Sequence, residues 1–215
     1  MVDKPPGMTS HDVVEFVRNK FAIKKVGHAG TLDPMATGIL VLLLGKCTRM
    51  FSKFSNFDKT YEATLTLGVE TDTGDMDGQI KGKFNFEKID KKSISEVMEQ
   101  FIGEIEQVPP MFSALKCKGK KLYQLARKGI EITLSPRRIS IYSLQLLNFN
   151  PPQIDFRVCC SKGTYIRKLA EDIARSLGTR GCLSYLKRTG LGPFNIKEAI
   201  KLDNVNESHI RPWVD

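Results

Sequence analysis

Residues 139–160 read Ile-Ser-Ile-Tyr-Ser-Leu-Gln-Leu-Leu-Asn-Phe-Asn-Pro-Pro-Gln-Ile-Asp-Phe-Arg-Val-Cys-Cys. Two runs rich in aliphatic, β-branched and aromatic residues, Ile139 to Phe149 and Ile154 to Cys160, flank Pro151 and Pro152. Proline has no N–H to give to a ladder, so the pair marks a turn between two strands. Strands this close in sequence pair antiparallel, because parallel neighbours need a crossover of a dozen or more residues. Working outward, the same economy recurs. Tyr61, Ala63, Leu65, Leu67 and Val69 alternate with Glu62, Thr64 and Thr66, the period of a half-buried strand. Ile39 to Leu44 is a short continuous apolar run, the mark of a strand buried on both faces.

Helical spacing lies between these runs. Ser10 is placed as an N-cap before the stripe Val13, Val14, Phe16, Val17 and Phe21. Ser93 with Glu96 has the form of a capping box opening a helix that buries Ile94, Val97, Met98, Phe101 and Ile102. A short helix is expected from Lys121 to Lys128, stopped by Gly129, and a longer one from Thr164 to Leu177, stopped by Gly178. A last helix is expected from Gly181 to Arg188. There is no regular β-α-β alternation, no internal repeat and no linker-like stretch. The expected fold class is therefore α+β, a mixed, mainly antiparallel sheet flanked by helices, with residues 1–215 as one domain.

Composition narrows the function classes. No apolar run reaches the length of a membrane span. The start, Asp3, Lys4, Pro5 and Pro6, is not an apolar leader, so none is expected. The five cysteines are odd in number and lack a CxxC pair, and the three histidines are scattered, so reduced thiols and no metal site are expected. The net charge is +9, and the excess is clustered. From Lys116 to Ile130 stand Lys116, Lys118, Lys120, Lys121, Arg127 and Lys128 with no acid, and from Arg157 to Arg188 eight basic residues face only Glu171 and Asp172. Clustered cations suit a phosphate backbone, where each neutralised phosphate releases counterions; a solvated lysine-rich surface has the same composition.

Two loops could carry chemistry. His28-Ala-Gly-Thr-Leu-Asp33-Pro-Met-Ala-Thr-Gly38 presents a carboxylate from a stretch that Pro34 keeps extended, directly before a buried strand. The pattern also allows an Asx-type turn, in which Asp33 only bonds the backbone. Cys160-Ser-Lys-Gly-Thr-Tyr165-Ile-Arg167 ends a strand and opens a helix, where N–H groups, Lys162 and Arg167 could hold an anion or simply form a capped turn.

The loop His28 to Gly38 resembles the signature of the bacterial-type tRNA pseudouridine-55 synthases, the TruB family. Further matching motifs follow in order along nearly the whole chain. They are Asp3-Lys-Pro-Pro-Gly-Met-Thr-Ser10, Lys59-Thr-Tyr-Glu-Ala63, Thr71-Asp-Thr-Gly-Asp75, Gln107-Val-Pro-Pro-Met111 with Ser113-Ala-Leu-Lys116, Gly163-Thr-Tyr-Ile-Arg167 and Leu186-Lys-Arg-Thr189. The resemblance implies the pseudouridine synthase fold, and isomerisation of uridine to pseudouridine at position 55 of the T loop by base flipping. It implies Asp33 as the catalytic aspartate, Tyr61 as the ring stacked on the uracil and Arg167 as the arginine paired with the aspartate. It implies His28 as the group filling the space the base leaves, Tyr165 and Leu186 as the lining of the uracil pocket, and Lys4 as support for the site. Lys116, Lys118, Lys120, Lys121, Arg127, Lys128 and Arg188 are implied as RNA-backbone contacts, most of them on an inserted thumb at roughly 108–132. The reaction is redox-neutral, so no cofactor and no metal are expected. The partner expected is the tRNA T arm, with no membrane, for a cytoplasmic monomer.

The chain departs from the family pattern at Gly178-Thr-Arg-Gly-Cys182, and no C-terminal domain of the PUA type is expected after Phe194. A guide-dependent catalytic subunit and a tRNA-folding chaperone use related surfaces. The bacterial form of the Asp33 loop and the basic thumb favour the stand-alone enzyme.

Overall fold

The structure, a computed structural model, describes residues 1–117, 119–130 and 132–212, with Lys116 through its backbone only. The fold is α+β with mixed, mainly antiparallel strand pairing. The chain forms two compact units, Met1–Tyr61 with Leu186–Asp215, and Glu62–Tyr185.

In the first unit the strand Val2–Lys4 pairs antiparallel with Thr37–Leu40 and parallel with Ile200–Lys201. Thr37 and Gly38 pair in parallel with Lys187 and Arg188, near the end of the strand Gly181–Leu191. The apolar run at 39–44 is two strands rather than one. Thr37–Leu40 stays beside Val2–Lys4, while Leu42–Leu44 pairs with Val26–His28. Its unbroken apolar character follows from burial on both faces. Leu40 packs with Val2, Val13, Val14 and Val17, whereas Ile39 and Val41 pack with Ala29, Leu43, Phe54 and Leu191. The helix Ser10–Lys20 is capped by Thr9, which forms a capping box with Asp12. The cap is one residue earlier than expected, and that frees the Ser10 hydroxyl for another task.

In the second unit Arg137–Asn150 pairs antiparallel with Gln153–Cys160 on one side, from Ile141 opposite Cys160 to Asn150 opposite Gln153, and with Gly103–Gln107 on the other. The strand Lys59–Leu67, whose first three residues belong to the first unit, alternates buried and half-buried residues throughout and ends at Gly68. The helix Lys91–Glu99 buries Ile94 and Met98, and its capping box is Asp90 with Ser93 rather than Ser93 with Glu96. The helix Ile166–Ser176 buries Ile166, Leu169, Ala170 and Ile173. The expected helix at 121–128 is the shorter Leu122–Ala126, held by buried Leu122 and Leu125.

Gly181–Leu191 overturns an expectation, since it is a strand and not a helix. Leu183 and Leu186 have helical spacing, but pairing with Thr37–Gly38 and with Phe194–Asn195 overrides local preference.

Candidate active site

Asp33 is half-buried on the loop between Val26–His28 and Thr37–Leu40, and that loop is pinned at several points. The Leu32 N–H donates to Ser10 Oγ at 2.8 Å, and the Ser10 hydroxyl donates back to the Leu32 carbonyl at 3.1 Å. The Ala36 N–H donates to the Asp33 carbonyl at 3.0 Å, closing a tight turn through Pro34. The Pro34 carbonyl accepts from the Gly7 N–H at 2.9 Å and from Lys4 Nζ at 3.1 Å. Lys4 Nζ also donates to the carbonyls of Pro5 and Met8. Ser10 was not among the expected site residues. Its position in a quoted motif was the only signal, because its partner lies 22 residues away.

Lys4 is fully buried. Burial lowers its pKa from the ordinary 10.5 to about 8, partly countered by the carboxylates of Asp33 and Asp12. The folded protein therefore releases this proton near pH 8 and the unfolded chain near 10.5. Between those values the unfolded state binds the extra proton, so this group's contribution to stability climbs with pH. Urea titrations of the wild type and Lys4→Met should show the wild type gaining on the variant across that window. A difference that stays flat would mean that the ammonium is not desolvated.

Arg188 corrects an expectation. It is only 1% exposed. Its Nε donates to the Ile39 carbonyl at 2.8 Å and its Nη2 to the Gly30 carbonyl at 3.0 Å. Parallel pairing with Gly38 turns this cation inward, where it braces the Asp33 loop instead of facing a phosphate. His28 ends its strand opposite Leu42, and Tyr61 and Leu186 are buried. The structure thus gathers Lys4 and Arg188 onto the backbone of the loop that carries Asp33.

In the second unit Arg167 lies in the first turn of Ile166–Ser176 and is buried. Its Nη1 donates to the Thr73 carbonyl at 2.7 Å and its Nη2 to the Phe112 carbonyl at 2.8 Å, and its Nε stands 3.6 Å from Asp75 Oδ2. Asp75 is itself buried, and its Oδ1 accepts from the Thr73 hydroxyl at 2.6 Å and the Asp77 N–H at 3.2 Å. A buried guanidinium needs such partners, since an uncompensated charge there costs several kcal/mol, on the order of 3–5. Gly74 suits the loop because its φ is +76°, a conformation that L side chains rarely adopt. The motif Thr71 to Asp75 was visible in the sequence, but its partnership with Arg167 was not. Tyr165, two residues before Arg167, is half-buried.

Of the expected RNA-backbone cations, Lys120, Lys121, Arg127 and Lys128 are exposed. Lys121 and Arg127 each stand 5.6 Å from the Tyr123 ring. Lys118 and the side chain of Lys116 lie outside the described residues. Among the described residues no helix is long and apolar enough to cross a membrane.

Comparison with known proteins places this arrangement. Residues 18–166 match the N-terminal domain model of the TruB family pseudouridylate synthases, and residues 167–212 match the tRNA pseudouridylate synthase B C-terminal domain model. The tRNA pseudouridine synthase B of Syntrophotalea carbinolica is 49% identical over 205 residues, covering 95% of this chain and 67% of the relative. That of Clostridium tetani is 45% identical over 213 residues, covering 99% and 74%. Among solved structures, a chain in a crystal structure of a Cbf5-Nop10-Gar1 complex is similar at a TM-score of 0.74 and 32% identity, over 94% of this chain and 51% of that one. This chain thus spans about half the length of that structural relative, and most of the sequence relatives. A family match that runs from residue 18 to residue 212 takes in both the Asp33 loop and the Arg167 helix, and the chain belongs to the TruB family of pseudouridylate synthases.

Proposed function

We propose that the protein isomerises uridine to pseudouridine in tRNA, at position 55 of the T loop. The observation that carries this reading is the match of 95–99% of this chain to relatives named tRNA pseudouridine synthase B, at 45–49% identity. The reaction detaches uracil from its ribose, turns it and rejoins it through carbon 5. Nothing is oxidised or reduced. The protein must supply a carboxylate to act on the nucleotide, a cation that keeps the carboxylate ionised, and a surface to hold the loose base.

In this reading Asp33 is the acting carboxylate, Arg167 the cation and Tyr61 the stacking ring. Tyr165 and Leu186 line the uracil pocket, and Lys4 steadies the Asp33 loop. His28 fills the space left by the base, whose extrusion costs a few kcal/mol. The exposed cations of the 108–132 segment act as a thumb on the T-arm backbone. The whole chain serves this one activity, as a monomer in the cytoplasm.

The test is tritium release from tRNA transcripts labelled at carbon 5 of uridine. Turnover is expected on the whole tRNA and on an isolated T-arm stem-loop, with pseudouridine mapped to position 55. Absence of turnover by the folded protein on whole tRNA would refute the reading. A thumb role makes a second forecast. Replacing Lys118, Lys120 and Lys121 together should weaken binding and flatten the salt slope by up to about 0.9 per lost phosphate contact. A slope equal to that of the wild type would remove the thumb from the RNA interface.

A further inference from the structure

Gln107 ends the strand Gly103–Gln107, at the register of Arg137, and is only 3% exposed. Its amide makes two hydrogen bonds to one residue. Oε1 accepts from the Tyr165 N–H at 2.8 Å, and Nε2 donates to the Tyr165 carbonyl at 3.1 Å. The two bonds fix the peptide planes on both sides of Tyr165. Tyr165 is the N-cap of Ile166–Ser176, with extended backbone (φ −98°, ψ 108°) and no side-chain cap of its own. Its carbonyl also accepts the Leu169 N–H at 3.0 Å, which starts the helix. Gln107 thus accepts from the N-cap N–H, as the Glu or Gln at the third helical position does in a capping box, but from a strand 58 residues earlier.

The same short segment grips the helix a second time. Val108, Pro109 and Pro110 follow Gln107, and the prolines hold the backbone stiff. Phe112 then presents its carbonyl to Arg167 Nη2 at 2.8 Å. Residues 107–112 therefore set Tyr165 at one end and Arg167 at the other.

We infer that Gln107 is a positioning residue for pseudouridine formation, acting through Tyr165 and Arg167. The inference rests on the proposed function, which puts those two residues at the reacting nucleotide. An amide is suited to the task because it offers one donor and one acceptor side by side. Met keeps the size and loses both. Glu keeps the acceptor and loses the donor when ionised, but regains it when protonated.

The experiment compares kcat and KM of the wild type, Gln107→Met and Gln107→Glu on whole tRNA between pH 6 and 8, normalised to the folded fraction. Gln107→Met should lower kcat about 100-fold, the order expected for a misplacement near 1 Å, with KM within about threefold. The Gln107→Glu to wild-type kcat ratio should rise at least about fivefold from pH 8 to pH 6, as the carboxyl takes up the proton that restores the donor. The Met ratio should not change with pH.

A Gln107→Met kcat within about threefold of wild type would overturn the inference, as would a Glu ratio as flat as the Met ratio. If Gln107→Met does not fold, the Glu ratio decides alone, since acid that restored folding without kcat would show a purely structural role. Failure of the parent reading looks different, because the wild type would then not turn over tRNA at all.

Discussion

Asp33→Asn leaves tRNA affinity in place while turnover falls by at least about 10⁴-fold, a barrier increase of roughly 5.5 kcal/mol. Three links lead to this expected result. First, hydrogen bonds to the loop's backbone, which asparagine leaves in place, form much of its framework. Ser10 holds Leu32, Gly7 and Lys4 hold the Pro34 carbonyl, Arg188 holds Gly30, and Asp33 itself contributes its backbone carbonyl to Ala36. Asparagine keeps the size and the backbone, so the variant should fold. Second, the substitution removes a charge from surroundings that respond to it. The fully buried Lys4 ammonium is stabilised by the Asp33 carboxylate, and attraction of this kind is mutual. Third, a neutral amide can neither attack the nucleotide nor remove a proton from it at a useful rate. Filter binding reports affinity, and tritium release reports turnover. Substantial turnover by folded Asp33→Asn would take Asp33 out of the mechanism and put a different acid, such as Asp75, in its place.

Some of this architecture was legible in the sequence because its cause is local. The alternation in Lys59–Leu67 and the Pro151–Pro152 turn between Arg137–Asn150 and Gln153–Cys160 were visible as patterns, since period and turn chemistry are written in neighbouring residues. The helix Ile166–Ser176 was legible for the same reason. What was misread depends on distant partners. Gly181–Leu191 has leucines at helical spacing, and pairing with Thr37–Gly38 and with Phe194–Asn195 makes it a strand. That pairing also decides Arg188. The sequence shows a cation in a basic stretch, whereas the direction it faces is set by a strand about 150 residues earlier. Gln107 and Ser10 each stood within a motif, yet their tasks are hydrogen bonds to backbone 58 and 22 residues away. The caps at Thr9 and Asp90 were each missed because a later Ser also fits the local pattern.

Gly38→Ala should destabilise the protein well beyond Gly7→Ala, and the comparison isolates the close approach of two backbones. Both glycines have positive φ, 81° at Gly7 and 101° at Gly38. Any L-residue in the left-handed region costs about 1–2 kcal/mol, and that term is common to both. A Cβ at Gly7 would meet nothing within 4 Å. A Cβ at Gly38 would stand 2.3 Å from the Arg188 carbonyl oxygen and 2.7 Å from its nitrogen, against backbone that cannot rotate away. Relieving the overlap means parting Thr37–Leu40 from the Lys187–Arg188 stretch. Overpacking of this kind adds about 1–3 kcal/mol, for a total near 2–5. The strain also propagates toward the site. Moving Arg188 disturbs its bonds to the Ile39 and Gly30 carbonyls, which brace the loop bearing Asp33. Urea unfolding should therefore give Gly38→Ala a midpoint clearly below that of Gly7→Ala, with similar m-values. Its remaining folded fraction should also turn over tRNA more slowly than folded Gly7→Ala. Equal midpoints would mean that the parallel register between Gly38 and Arg188 does not set the geometry of the Asp33 loop.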